Sequence, residues 1–112
     1  MRDINGKSDN MTVKELNGAE FDEFVKSNGK AVIDCWAPWC GPCRRMGPEV
    51  DAAAEQLAGK VAFGKLNTDD NQDIAARYAI NAIPTLLIFE NGKLVDSLVG
   101  LRPASDIVEY LG

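Results

Sequence analysis

Apolar and polar residues follow one another along the chain in a pattern that predicts five strands and four helices. The strand segments are compact apolar runs, whereas the helical segments repeat their apolar residues every three or four positions. The predicted strands are Thr12–Leu16, Ala31–Trp36, Val61–Leu66, Thr85–Glu90 and Lys93–Val99. The predicted helices follow Asn17, cover Arg44–Leu57, follow Asn71 and begin at Pro103.

Local signals support several of these boundaries. Asn17 and Glu20 have the spacing of a capping box, and Asn71 is a residue type that caps helices well. Pro48 lies inside the second helix, where a proline is expected to introduce a kink. Asn91-Gly92 separates the last two strands and is a strong signal for a tight hairpin. The predicted order is therefore β-α-β-α-β-α-β-β-α.

This order predicts an α/β fold. Strands that alternate with helices in the first half imply right-handed parallel crossovers, and the hairpin adds antiparallel strands. We expect a mixed five-stranded central sheet flanked by four helices, with the buried run at residues 31–36 covered on both faces.

Length and composition limit the classes of function. The 112 residues suit one domain, 46% of them are apolar, and the net charge is −5. This charge argues against nucleic acid or an acidic membrane surface as a partner, and no apolar run approaches the ~20 residues of a membrane span.

We expect a flexible polar tail at residues 1–10 and a single domain at 11–112. The polar start lacks the apolar segment of an export signal, which predicts a cytoplasmic protein.

The segment Cys40-Gly41-Pro42-Cys43 carries the strongest chemical signal. It follows a predicted strand and opens a helix, where free backbone N–H groups and the helix dipole favour a thiolate. We expect Cys40 to be exposed and Cys43 to be more covered. A zinc site and an iron–sulfur cluster are disfavoured, because the chain has three cysteines and no histidine. A structural disulfide closing so small a loop would add little stability, so redox chemistry is the favoured interpretation.

Four landmarks together resemble the thioredoxin family: Trp39 to Cys43 (WCGPC), Asp34 before it, Ile83-Pro84-Thr85 after it, and Gly100 near the end. The resemblance extends from about residue 11 to residue 112. It implies a thioredoxin fold and a monomer, without cofactor or metal, that reduces disulfides in client proteins. It also implies thioredoxin reductase or an equivalent electron donor as a partner.

The resemblance also implies residue roles. Cys40 would be the nucleophile and Cys43 the resolving thiol. Asp34, whose pKa burial is expected to raise, would accept a proton from Cys43 through a water, with Lys65 as its charge partner. The client-binding residues implied by the family are Trp39, Gly41, Pro42, Ile83, Pro84 with a cis peptide bond, Val99 and Gly100.

Other features qualify this interpretation. Gly-Pro between the cysteines resembles reducing members of the family, whereas oxidising relatives usually carry histidine there. Cys35 is expected to be a buried apolar residue, and Trp36 to pack beneath the site.

Arg45 departs from the apolar residue that is frequent in the family and is expected to affect partner recognition. A non-catalytic binding subunit and a dedicated reductant of one enzyme remain alternatives.

Overall fold

The computed structural model describes residues 12–112, so the tail predicted at residues 1–10 lies outside the described part of the chain. The strands are β1 (Val13–Leu16), β2 (Lys30–Trp36), β3 (Ala62–Asn67), β4 (Thr85–Glu90) and β5 (Lys93–Val99). The helices are α1 (Gly18–Ser27), α2 (Gly41–Gln56), α3 (Gln72–Arg77) and α4 (Ala104–Leu111). The predicted element order is confirmed.

The five strands form one mixed sheet in the order β1-β3-β2-β4-β5. The central strand β2 is parallel to β3 and antiparallel to β4. β1 pairs in parallel with β3 at one edge, and β5 pairs antiparallel with β4 at the other. Asn91 and Gly92 have φ angles of 53° and 84°, which are the positive values that a tight hairpin turn requires. The predicted mixed sheet is therefore confirmed.

Helices cover both faces of the sheet and create two apolar cores. Neighbouring residues of β2 point to opposite faces, so Val32 joins one core while Ile33 and Cys35 join the other. The first core contains residues of α2 and α4, and the second contains residues of α1 and α3. Burial on both faces explains why the sequence of β2 is almost continuously apolar.

The helix α2 begins at Gly41, three residues before the predicted start at Arg44. The reason is local: Cys40 occupies the N-cap position, and Pro42 fits the first turn because its missing N–H needs no partner there. The helix continues through Pro48 to Gln56. Within residues 12–112, no helix is long and apolar enough to cross a membrane.

The predicted cap was correct for α1, correct only in position for α3, and displaced by one residue for α4. The capping box of α1 is present, with Glu20 N–H donating to Asn17 Oδ1 at 2.9 Å. Asn71 does occupy the N-cap position of α3, but its side chain donates to a backbone carbonyl instead of capping the helix. Pro103, predicted as the first residue of α4, is its N-cap, and the N–H of Ala104 donates to a side chain of α2 instead.

The close contact of β1 with β3 depends on Gly64. A Cβ atom at this position would lie 2.7 Å from Leu16 Cδ1 and 3.2 Å from Lys14 O. Leu16 is buried and cannot swing away. We therefore expect Gly64→Ala to lower the free energy of unfolding by about 1–3 kcal/mol, measured by urea denaturation.

Gly47→Ala is the matched control, because Gly47 lies inside α2 and a Cβ atom there meets no atom within 4 Å. Alanine favours a helix more than glycine, so this variant should gain about 0.5–1 kcal/mol. Equal stability of the Gly64→Ala variant and the parent protein would contradict the proposed packing of β1 on β3.

Candidate functional site

The two cysteines of the CGPC segment lie where the loop after β2 leads into α2. Cys40 and Cys43 are joined by a disulfide, and their Cα atoms are 5.2 Å apart. The N–H of Cys43 donates to Cys40 Sγ at 3.1 Å, so the sulfur of Cys40 serves as the side-chain cap of α2. Backbone N–H groups and the positive end of the helix dipole therefore converge on this sulfur.

The expected difference in exposure between the two cysteines is absent from this disulfide form. Cys40 is 4% exposed and Cys43 is 5% exposed. Both pack in a small apolar cluster with Ala37, against which Trp36 and Ile83 are placed. The disulfide explains the result, since it holds both sulfurs within this cluster.

The two sulfurs nevertheless face different surroundings. Cys40 Sγ lies 3.9 Å from the carbonyl oxygen of Ile83. The Ile83–Pro84 peptide bond is cis. Gly100 N–H donates to Pro84 O at 2.9 Å and connects the loop after β5 to this segment. Gly100 has φ of 104°, a conformation that side chains rarely adopt, so glycine suits this position.

Cys43 lines a cavity of about 190 Å³ that it shares with Asp34 and Asp51. Asp34 is 4% exposed, and its Oδ1 atom has no hydrogen-bond partner. Burial raises the pKa of Asp34 from 3.8 to about 7; nearby Lys65 opposes the shift, and Asp51 adds to it. The predicted direction of this pKa shift agrees with the structure.

Lys65 lies beside Asp34 because the two residues are register partners on β3 and β2. It lines the same cavity, and its Nζ atom lies 5.8 Å from the centre of the Trp36 ring. The indole Nε1 of Trp36 is buried without a hydrogen-bond partner. The cation therefore lies over an aromatic ring and close enough to Asp34 to lower its pKa.

Exposed apolar side chains surround the outer side of the disulfide. Trp39 is 69% exposed and Val99 is 55% exposed. The Trp39 indole N–H donates to the carboxylate of Asp69 at 3.1 Å, which fixes the ring. Pro42 is also exposed, and Gly41 is half-buried at the start of α2. These residues form an apolar surface beside Cys40.

The third cysteine lies apart from this surface. Cys35 is fully buried in the core on the other face of β2, and it is a free thiol. Burial and the adjacent Asp34 raise the pKa of the Cys35 thiol well above its ordinary value. The expectation of a buried apolar residue is confirmed.

Sequence reasoning missed two residues of the site. Asp51 follows Cys43 by eight positions in α2, and helical periodicity would have placed both on one face. Asp69 follows β3, whose carboxyl end lies at the same sheet edge as that of its parallel neighbour β2. Among residues 12–112 there is no group of three or more metal-binding side chains.

The thioredoxin family model matches residues 12–112. The chain is 47% identical over 102 residues to thioredoxin of Porphyra purpurea, in an alignment covering 90% of this chain and 95% of the relative. It is 46% identical over 102 residues to thioredoxin of a Synechocystis species, covering 87% of this chain and 95% of the relative.

A solved structure of Plasmodium falciparum thioredoxin superposes on this chain with a TM-score of 0.83 at 29% identity. The superposition covers 89% of this chain and 100% of the Plasmodium falciparum chain. The expected fold is confirmed by this likeness and by the order of strands and helices. The chain therefore belongs to the thioredoxin family of thiol–disulfide oxidoreductases.

Proposed function

We propose that this chain reduces disulfides in client proteins, with Cys40 as the nucleophile and Cys43 as the resolving thiol. One observation carries the assignment: Cys40 Sγ accepts the N–H of Cys43 as the N-cap of α2, whereas Cys43 lines a cavity together with Asp34. The helix N-terminus favours the thiolate form of Cys40, and the shared cavity gives Cys43 a nearby proton acceptor.

In the first step, the Cys40 thiolate attacks one sulfur of the client disulfide. A bond forms between Cys40 and that sulfur, the client disulfide breaks, and the second client sulfur leaves as a thiolate. The N–H of Cys43 and the N-terminal end of α2 stabilise the negative charge on Cys40 before the attack.

In the second step, Cys43 attacks Cys40 and releases the first client sulfur. Asp34 takes the proton from Cys43, through water in the cavity that both residues line. A pKa of about 7 suits this role, because a sizeable fraction of Asp34 is ionised near neutral pH. The dithiol loses two electrons to the client and ends as the Cys40–Cys43 disulfide.

Lys65 acts as the charge partner of Asp34. Its positive charge lowers the pKa of the buried carboxyl group, against the larger effect of burial. Without Lys65, ionised Asp34 would be less stable and fewer molecules would carry the base form at neutral pH.

The client chain binds across the apolar surface around Cys40. The residues proposed to contact it are Trp39, Gly41, Pro42, Ile83, Pro84, Val99 and Gly100. The exposed apolar area of Trp39 and Val99 supports this assignment, since grouped apolar side chains on a surface often mark an interaction site. The backbone beside Gly100 is open as well, with no atom within 4 Å of the place of a Cβ atom.

The direction of electron flow is reduction of the client. Gly41 and Pro42 separate the cysteines, and no histidine is present to stabilise the thiolate form further. The disulfide that forms needs a donor of two electrons, which we assign to thioredoxin reductase or an equivalent reductase. We place this monomer in the cytoplasm, where reductases of this kind keep thiols reduced.

Exchange of single cysteines tests the two roles. We expect Cys43→Ser to accumulate covalent client adducts on Cys40, because the mixed disulfide cannot be resolved. Cys40→Ser should neither form adducts nor reduce insulin, measured by adduct mass spectrometry and by turbidity with dithiothreitol. Cys35→Ala is the matched control and should reduce insulin at the parent rate, since Cys35 lies in the opposite core. Turnover by Cys40→Ser would contradict the assignment.

Asp34→Asn tests the buried carboxyl group through stability. Between about pH 4 and pH 7 the folded protein holds a proton on Asp34 that the unfolded chain has lost, so stability falls as the pH rises. A rise in pKa from 3.8 to about 7 corresponds to about 4 kcal/mol once the group is ionised. We expect the stability advantage of Asp34→Asn to grow by that order between about pH 4 and pH 8.5, measured by urea denaturation.

The same variant tests the proton transfer. Asp34→Asn should slow release of the client from the mixed disulfide by about tenfold or more near neutral pH, because it removes the base. Formation of the mixed disulfide should change less. Asp70→Asn, at an exposed position, is the control and should alter neither quantity. A parental release rate in Asp34→Asn would show that Asp34 is not the proton acceptor.

A further inference from the structure

A second depression lies next to the proposed client surface. It has a volume of about 280 Å³ and is lined by Arg45 and Glu49 of α2 and by Leu101, Arg102 and Pro103 of the loop before α4. This loop directly continues the Val99-Gly100 segment. We call these five residues the arginine pocket.

The charged groups of the arginine pocket leave it positive. Its two guanidinium groups face one carboxylate, that of Glu49. Glu49 Oε1 accepts a hydrogen bond from Ala104 N–H at 2.8 Å, so the carboxylate is engaged with the N-terminus of α4. The chain as a whole has a net charge of −5, which makes a positive pocket beside the dithiol a local exception.

Arg102 lines this pocket and has an unsatisfied donor. Its Nε atom is buried and has no hydrogen-bond partner, although buried donors are normally paired. Its backbone is held in place, because Arg102 N–H donates to Met46 Sδ at 3.3 Å. The neighbouring Arg44 already has an acceptor within the protein, because its Nη1 atom donates to Pro38 O at 2.7 Å.

Arg45 supplies the second guanidinium from the first turns of α2. It is exposed, so its head group is free to turn toward a bound chain. Asp96 is an acidic group near Arg102. It accepts hydrogen bonds from Tyr110 O–H and from Ser97 N–H; these bonds lower the pKa of Asp96, and the charge of Arg102 adds to the shift. Glu49 and Asp96 therefore already have hydrogen-bond partners.

We infer that the arginine pocket binds the carboxylate of an Asp or Glu side chain that flanks the disulfide of the client. Guanidinium groups bind carboxylates with charge-assisted hydrogen bonds, and two of them line this pocket. The inference rests on the proposed function, because the client has to lie along Val99-Gly100 for its neighbouring residues to reach the pocket. It makes Arg45 and Arg102 determinants of client specificity.

Two synthetic peptides provide the test. Each carries one intramolecular disulfide, and they differ only in having glutamate or glutamine on either side of one cysteine. The protein is first reduced with dithiothreitol and freed of excess reagent, so that its own dithiol supplies the two electrons. The rate of peptide reduction at low peptide concentration is then measured at low and at high salt.

We expect the parent protein to reduce the glutamate peptide about two- to fivefold faster at low salt, as for a partly exposed ion pair, with the preference shrinking at high salt. Arg102→Gln and Arg45→Gln should each lose part of this preference while reducing the glutamine peptide at the parent rate. The exposed Arg45 side chain can be replaced without disturbing a core. Arg77→Gln is the matched control, because it removes the same charge at a distant ion pair with Asp22.

The possible failures are distinguishable. If the parent reduces both peptides at one rate, or if Arg77→Gln loses the preference as Arg45→Gln does, the arginine pocket does not bind a client carboxylate. If the parent reduces neither peptide, the proposed function is wrong and the inference falls with it.

Discussion

The position of β2 at the centre of the sheet is the constraint on which the site depends. Pairing with β3 on one side and β4 on the other holds this strand in one register. The strand ends directly before the turn that carries Cys40, so the sulfur of Cys40 lies at the N-terminus of α2. The alternation of side chains along β2 then sends Asp34 toward Cys43 and Cys35 into the opposite core. One strand therefore separates a reactive thiol pair from an inert thiol.

The same strand pairing creates the electrostatic balance of the site. Burial opposes the charge of Asp34, and Lys65, its register partner on β3, favours that charge. The carboxyl group consequently gains a proton near neutral pH, at a cost in stability whenever it is ionised. A protein selected for stability alone would have an apolar residue at this position. Retention of a titrating group beside Cys43 is physically consistent with a role in moving its proton.

Much of the fold could be predicted because its signals are local. The apolar run of β2, the capping box at Asn17 and the Asn91-Gly92 turn each depend on neighbouring residues. The failures involve distant contacts: the cap of α4 comes from Glu49, 55 positions before Ala104, and no local pattern encodes that bond. The early start of α2 was missed because a sulfur serves as its side-chain cap. The equal exposure of the two cysteines follows from their disulfide and could not be deduced from helix position alone.

The central claim is that Cys40 attacks the client and Cys43 resolves the mixed disulfide. The most direct test uses the unmodified sequence: reduced protein is mixed rapidly with a disulfide peptide, quenched in acid within the first turnover, and digested for mass spectrometry. Acid protonates thiolates and stops exchange, so the intermediate keeps the bond it had at the moment of quenching. The account predicts the peptide thiol attached to Cys40, with Cys43 free. A peptide attached mainly to Cys43 would contradict it.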